Sequence, residues 1–335
     1  MRIAMLAPIA WRTPPRAYGP WELVTSLLTE ALVERGVDVT LFATMDSVTK
    51  ARLQAVVPAP YNDNPAIDAK VWEFRHLAHC FAQGSAFDII HNQADFPAHA
   101  FARLVDTPVV TTIHGLSSDA ILPMYEPFDD IVQYVAISDA DRHPALRYAA
   151  TIHHGIDVSS FPFDAEGAER LLFFGRIHPD KGAAAAIAVA RDSGRGLHLY
   201  GIVQDQAYHD NHVAPGLSPP DIAFHGPVGG DARLRALGQA RALLHLIAFD
   251  EPFGLSVVEA MACGTPVIAN ARGSMPELIE DGVTGFLVRN HREAVRAVER
   301  VGSLDRSLIR SRVAERFAVE TMADKYIQLY RSILG

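Results

Sequence analysis

Two carboxylates frame the segment Glu251-Pro-Phe-Gly-Leu-Ser-Val-Val-Glu259-Ala-Met-Ala-Cys-Gly-Thr-Pro-Val-Ile. Ahead of it, Leu243–Ile247 reads as a buried strand that ends in a loop. Gly254 opens a helix that runs to about Cys263, and Gly264 stops it. The free N–H groups of Gly254, Leu255 and Ser256 then point out of the helix start, at the carboxyl end of a parallel sheet, which suits a phosphate. A carboxylate on each side suits hydroxyl groups, one on a sugar and one on a ribose. The competing reading is a surface pair of glutamates on an ordinary helix. Phe253 and its Pro-Phe-Gly setting, with Gly-Thr-Pro-Val-Ile after the helix, weigh against it.

Upstream, Phe174-Gly-Arg-Ile-His-Pro-Asp-Lys-Gly182 follows another short apolar run. The Arg176 guanidinium and the Lys181 ammonium could clamp a diphosphate, with Gly175 allowing close backbone approach. A surface lysine at a helix start is the plainer reading of Lys181. His114 ends an apolar strand just before a glycine, where its ring or its carbonyl would face a cleft. A satisfied core histidine is the alternative for one of 15 histidines.

These residues need a scaffold that brings strand ends together. Short apolar runs alternate with amphipathic stretches along the chain: strands at Arg2–Leu6, Val39–Ala43, Asp88–His91, Val109–His114 and Tyr134–Ile137, with a helix over Trp21–Arg35 that Gly36 stops. The rhythm pauses at Gly155–Ala168 and restarts with strands at Leu171–Phe174, Leu197–Gly201, Ala242–Ile247 and Val267–Ala269. Helices are expected at Lys181–Asp192, Gly254–Cys263 and Arg292–Val301. This βαβ order predicts an α/β chain of two parallel-sheet halves, over 1–157 and 158–318. A last helix, roughly Val319–Ile333 within 319–335, is free to pack back on the first half.

The chain has 335 residues, 49% hydrophobic and 21% charged, enough for two cores. A formal charge of −9 argues against a general nucleic-acid binder. Cys80 and Cys263, the two cysteines, lie in apolar helix-like settings and read as buried thiols of a reducing compartment. The N-terminus reads as a strand rather than a signal peptide, and no run reaches the roughly 18 apolar residues of a membrane span. The expectation is a cytoplasmic protein. Lys50–Arg52 and Arg142–Arg147 are modest candidates for peripheral membrane contact, which the overall acidity weakens. Nothing here reads on the oligomeric state.

Taken together, the motifs resemble the glutamate-spaced signature of the retaining glycosyltransferases of family 4, the bacterial group 1 enzymes of GT-B fold. The resemblance runs over nearly the whole chain, through Tyr18-Gly-Pro-Trp-Glu22, Thr111-Thr-Ile-His-Gly115, Val135-Ala-Ile-Ser-Asp139, His154-Gly-Ile-Asp157 and Gly273-Ser-Met-Pro-Glu277. It implies two Rossmann-like domains facing a central cleft. It also implies transfer of a sugar, with retention, from a nucleoside diphosphate sugar to an acceptor hydroxyl. UDP-glucose is the donor it favours; the acceptor is not legible. Arg176 and Lys181 would stabilise the departing diphosphate, Glu251 the sugar hydroxyls, and Glu259 the ribose. His114 would lie beside the donor sugar, with Gly19, Gly175, Phe253, Gly254, Leu255 and Ser256 among the donor-binding residues. Neither a cofactor nor a metal is expected. One departure stands out: the family usually has two adjacent glycines where this chain has Gly19-Pro20, and proline offers no N–H to a phosphate. The loop could instead serve the acceptor. A sugar-nucleotide epimerase of the same fold and a catalytically silent sugar-nucleotide sensor are the alternatives.

Three other motifs carry less. Asp139-Ala-Asp141 has the form of a metal-binding aspartate motif but reads as the cap of a helix-like segment. His76-Leu-Ala-His79-Cys80 falls in an amphipathic helix with no carboxylate cluster nearby, so a structural zinc is not expected. No Gly-x-Gly-x-x-Gly follows the first strand, which disfavours a nicotinamide dehydrogenase.

Overall fold

The computed structural model describes residues 1–17, 19–115 and 119–335. Tyr18, which opens the Tyr18-Gly-Pro-Trp-Glu22 motif, and 116–118 lie outside the described residues. Met1–Ile156 with Val319–Gly335 form one compact unit, and Asp157–Ala318 form the other.

The first unit is built on β1 (Arg2–Leu6), β2 (Asp38–Thr44), β3 (Arg52–Val57), β4 (Ile89–Asn92), β5 (Val109–Ile113), β6 (Val132–Ala136) and β7 (Tyr148–Thr151). They pair in parallel in the order β3-β2-β1-β4-β5-β6-β7. The central strands are sealed on both faces: Ile3, Ala4, Met5 and Leu6 are fully buried, as a parallel sheet under two helical layers requires. Gly19, at φ 149°, precedes the Pro20–Glu34 helix, and Pro20 occupies its first turn, where a missing N–H costs nothing. The Val319–Leu334 helix belongs to this unit. Val319 N–H donates to Ile156 O at 2.9 Å, and the Tyr326 and Tyr330 hydroxyls lie 2.7 Å from Thr112 Oγ1 and 2.6 Å from His91 Nδ1.

The second unit repeats the plan with β8 (Leu171–Phe174), β9 (Leu197–Tyr200), β10 (Ile222–Phe224), β11 (Leu243–His245), β12 (Val267–Asn270) and β13 (Gly285–Val288). The order is β10-β9-β8-β11-β12-β13, again with every pairing parallel. In both units the strand order reverses at one place, between β1 and β4 in the first and between β8 and β11 in the second. Crevices open there, outside the carboxyl ends of the strands.

Four strands were not named from the sequence: β3, β7, β10 and β13. They are the four edges of the two sheets. An edge strand is paired on one side only, and β3, β7 and β10 are mostly half-buried, so their sequences need not be continuously apolar.

Two local expectations are corrected. Lys181 is not in the helix that follows it. A short turn over Pro179–Lys181 precedes Gly182, at φ 76°, and the α-helix is Ala183–Asp192. A Cβ at Gly182 would sit 2.1 Å from Leu246 O, so only glycine permits this approach to the end of β11. Asp139-Ala-Asp141 caps no helix; it lies in a turn, where Asp141 N–H donates to Ser138 Oγ at 3.1 Å and Asp139 accepts from Thr151 Oγ1 at 2.5 Å. Pro144 biases the residue before it away from helix, which stops propagation.

Candidate functional site

In the second unit, the loops after β8 and β11 meet at the strand-order reversal. Gly175 directly follows β8, and a Cβ there would meet nothing closer than Phe173 Cζ at 3.7 Å, so the backbone is open to a neighbour. Arg176 extends its guanidinium to Gln204 Oε1. The Pro179–Lys181 turn delivers Lys181 Nζ to 2.7 Å from Glu251 Oε1, above the Phe249 ring. Glu251 Oε2 accepts from His245 Nε2 at 2.8 Å. Burial pushes the Glu251 carboxyl up, but the hydrogen bond and charge of His245, with the Lys181 ammonium, more than offset it and hold it down at about 2.

The loop carrying Glu251 is held from behind. Ser274 N–H donates to Glu251 O at 3.0 Å, and a Cβ at Gly273 (φ 54°) would lie 2.5 Å from Glu251 N. Phe253 turns its ring into the core against Phe317, and its carbonyl accepts from Ser274 Oγ at 2.5 Å. Its side chain is an anchor, so only its backbone is left for a ligand. Gly254 caps the Leu255–Ala262 helix at φ 99°, in contact distance of Met275. The first-turn N–H groups of that helix, at Gly254, Leu255 and Ser256, have no intrahelical partner by geometry. Glu259 is 4% exposed in the second turn and pairs with Arg233, whose guanidinium lies 5.5 Å over the Phe174 ring. Burial raises the Glu259 carboxyl above its usual range despite Arg233.

The second unit thus brings Arg176, Lys181, Glu251, Glu259 and the helix start to one end of one sheet. Sequence reasoning missed His245 and Arg233. His245 could have been found as a polar residue closing an apolar strand. Nothing local separates Arg233 from Arg235 on the same helix.

In the first unit, His114 follows β5 and is 9% exposed. Its Nε2–H donates to Gln93 Oε1 at 2.6 Å, which leaves Nδ1 to accept from His154 Nε2 at 3.3 Å. The ring stacks on Trp21 at 5.1 Å. Gln93 in turn donates to His91 Nε2 at 2.9 Å, so His91 carries its proton on Nδ1 and donates to Tyr330. Burial pushes His114 down to about 3, so its ring is neutral. Both ring nitrogens are engaged within this unit.

Gly19 is crowded by its own unit: a Cβ there would lie 2.8 Å from Pro15 Cβ and 3.1 Å from Glu22 Oε2. Glu22, 3% exposed, accepts from Trp11 N–H at 3.0 Å. Beside it a cavity of about 520 Å³ opens at the reversal between β1 and β4. Its lining includes Tyr61, Glu73 and Asp95, none of which the sequence singled out.

Among the described residues no group of three or more His, Cys, Asp or Glu is placed to hold a metal ion, and no helix is long and apolar enough to cross a membrane.

Comparison with known proteins places these features. The model for Glycosyltransferase Family 4 matches residues 22–207, and that for Glycosyl transferases group 1 matches 159–313. D-inositol 3-phosphate glycosyltransferases of Mycobacterium bovis and Mycobacterium tuberculosis are 30% identical over 241 residues, 62% of this chain and 48% of theirs. The chain thus spans about half the length of these curated relatives. Among solved structures, a glycosyltransferase of avilamycin A biosynthesis superposes with a TM-score of 0.74 at 22% identity, covering 100% of this chain and 98% of that one. Anabaena HepE, solved with UDP and glucose, gives 0.73 at 19%, covering 99% and 100%. Sucrose-phosphate synthase of Thermosynechococcus elongatus gives 0.77 at 19%, covering 99% of each. The likeness is one of fold: two Rossmann-like parallel-sheet units, the GT-B class.

Proposed function

The chain belongs to glycosyltransferase family 4, and from that premise we propose that it moves a sugar from a nucleoside diphosphate sugar, UDP-glucose first among candidates, to an acceptor hydroxyl. The proposed course retains the anomeric configuration and uses no divalent metal. One observation carries the reading: at the strand-order reversal of the second unit, Arg176, Lys181 and a helix start gather with the half-buried Glu251 and the buried Glu259.

Each part has a task in this chemistry. As the bond between the anomeric carbon and the diphosphate breaks, negative charge grows on the leaving oxygen. Arg176, Lys181 and the N–H groups of Gly254–Ser256 supply fixed positive potential for that charge, which stabilises the transition state more than the ground state. Glu259 accepts from the ribose hydroxyls. Arg233 holds Glu259 in place and compensates its charge. Glu251, ionised under the influence of His245 and Lys181, accepts from sugar hydroxyls. The contribution proposed for His114 is its main-chain carbonyl, because its ring nitrogens already have partners.

Anabaena HepE was solved with UDP and glucose, which supports a UDP-sugar as donor here. The proposed compartment is the cytoplasm, supported by two buried unpaired thiols, Cys80 and Cys263. The test is a thermal-shift panel of UDP, GDP and ADP sugars, since a ligand that binds only the folded state raises Tm. Mass spectrometry of the products follows. A new glycoside supports transfer, and an isomerised donor supports an epimerase. No shift with any nucleotide overturns the reading.

A further inference from the structure

We propose that the cavity of the first unit takes a non-phosphorylated, amine-bearing polyhydroxylated ring as the acceptor, bound through Glu22, Glu73 and Asp95. This rests on the reading of the chain as a glycosyltransferase and goes beyond it to the class of acceptor.

The cavity lies where a crevice is expected in an open parallel sheet. Ala7–Trp11 follow β1 and Ala94–Pro97 follow β4, the two strands that flank the reversal of order. Its lining includes the aromatic residues Trp11, Trp21, Tyr61 and Phe96, together with Pro8, Pro20 and Pro97. About 520 Å³ is room for one or two six-membered rings, and aromatic walls suit the C–H faces of such rings. Pro20, which replaces a usual glycine, is part of this wall.

The polar lining is one-sided. Glu22, Glu73 and Asp95 bring three carboxyl groups, and no lysine or arginine lines the cavity among the described residues. The lining histidine, His76, is 1% exposed, gives its Nε2–H to Ala7 O at 3.0 Å, and is held neutral by burial, its pKa pushed down to about 4. With the proton on Nε2, His76 Nδ1 is an acceptor, and it has no hydrogen-bond partner.

Each carboxyl is positioned by its own unit. Glu22 takes the Trp11 N–H, Glu73 the Tyr61 hydroxyl, and Asp95 the Tyr125 hydroxyl. Asp95 keeps a left-handed backbone at φ 64° to do so. Burial raises all three carboxyl groups, so negative charge here lacks a counter-charge.

A carboxylate can accept several hydrogen bonds, so one protein donor to each of these groups leaves acceptor capacity that a donor-rich ligand would fill. Hydroxyl groups supply some. An ammonium supplies up to three N–H bonds and the missing positive charge together. A phosphate or carboxylate ligand would add acceptors and repulsion, with no lysine or arginine among the described lining residues to meet it.

The experiment uses the full chain and three ring probes of similar size: 2-deoxystreptamine, myo-inositol and myo-inositol 1-phosphate. Binding is measured by calorimetry with UDP present and with UDP absent, and UDP binding is measured separately. The expected result is that the aminocyclitol binds at least roughly tenfold tighter than myo-inositol, the scale of one charge-assisted contact. The phosphate should not bind measurably. Glu73→Gln, at a half-exposed position, should remove most of the preference for the amine while leaving UDP binding as it is. An amine that binds no tighter than myo-inositol, or a phosphate that binds as well as either, overturns the inference, and normal UDP binding in the same samples leaves the proposed function standing. Failure of UDP to bind overturns the proposed function, whatever the ring probes show.

Discussion

Lys181 Nζ and Glu251 Oε1 lie 2.7 Å apart, joining the loop after β8 to the loop after β11 through side chains only 13% and 15% exposed. A cation proposed for the diphosphate and a carboxylate proposed for the sugar are therefore one electrostatic unit. His245, 2.8 Å from the other Glu251 oxygen, completes it.

That coupling sets the first expectation. Lys181→Ala and Arg176→Ala should each lower kcat more than they raise the donor KM, because charge on the leaving oxygen grows only as the bond breaks. The scale is roughly 2–4 kcal/mol, or two to three decades in rate. Lys181→Ala combined with Glu251→Gln should be non-additive, whereas Arg176→Ala, whose guanidinium is bonded to Gln204, should add more nearly independently to Glu251→Gln. Steady-state kinetics on variants shown to be folded by circular dichroism decide this. A rise in KM alone would leave leaving-group stabilisation to the Gly254–Ser256 helix start.

Free UDP should separate the two glutamates. Glu259→Ala removes the proposed ribose contact and strands the Arg233 guanidinium, so UDP affinity should fall by roughly tenfold or more. Glu251→Ala should change it far less, because UDP has no sugar for Glu251 to hold. Calorimetric titration is the measurement. Equal and negligible effects would remove Glu259 from the ribose.

Chelation should leave turnover largely intact, since Arg176 and Lys181 supply the charge a divalent ion would otherwise provide. Initial rates before and after EDTA, with and without added Mg²⁺, are the readout. Complete loss that Mg²⁺ restores would bring a metal back into the mechanism.

The first unit should be acid-labile. Burial holds His76 and His99 down at about 4 and His91 and His114 at about 3, with His154 also well below the ordinary 6.5. For groups depressed in the folded state, the stabilisation is fully present above pH 6.5 and is lost as pH falls toward those values. Between pH 7 and 5, His76, His91, His99 and His114 each contribute a loss of roughly 1–2 kcal/mol. Trp11, Trp21 and Trp72, the three tryptophans, all lie in this unit, so their fluorescence reports its urea midpoint selectively. The midpoint should drop steeply from pH 7 to 5, and His99→Gln should flatten the slope. A flat profile would mean that these rings are not buried as neutral imidazoles.

Much of this was legible in the residues. Strands buried on both faces are largely apolar, so the central strands could be read directly, and Gly254, with its carboxylates on either side, marks a strand-to-helix junction by type and spacing alone. Burial by packing left no such trace. The edge strands β3, β7 and β10 are paired on one side only, and their mostly half-buried side chains record only part of an interior.

By itself, the order of residues determined the alternation of strand and helix, the division into two sheets, and which loops carry cations, carboxylates and glycines, because these follow from periodicity and from the backbone freedom of single residues. Only the tertiary structure decided the partnerships. Lys181 meets Glu251 because Gly182 lets a turn press against the end of β11. Glu259 meets Arg233 because two helices pack in the same unit. Glu22, Glu73 and Asp95 share a cavity because β1 and β4 are neighbours. Charge and hydrogen bonding act over a few ångströms of space, and neighbourhood in space is set by the whole sheet rather than by nearby sequence.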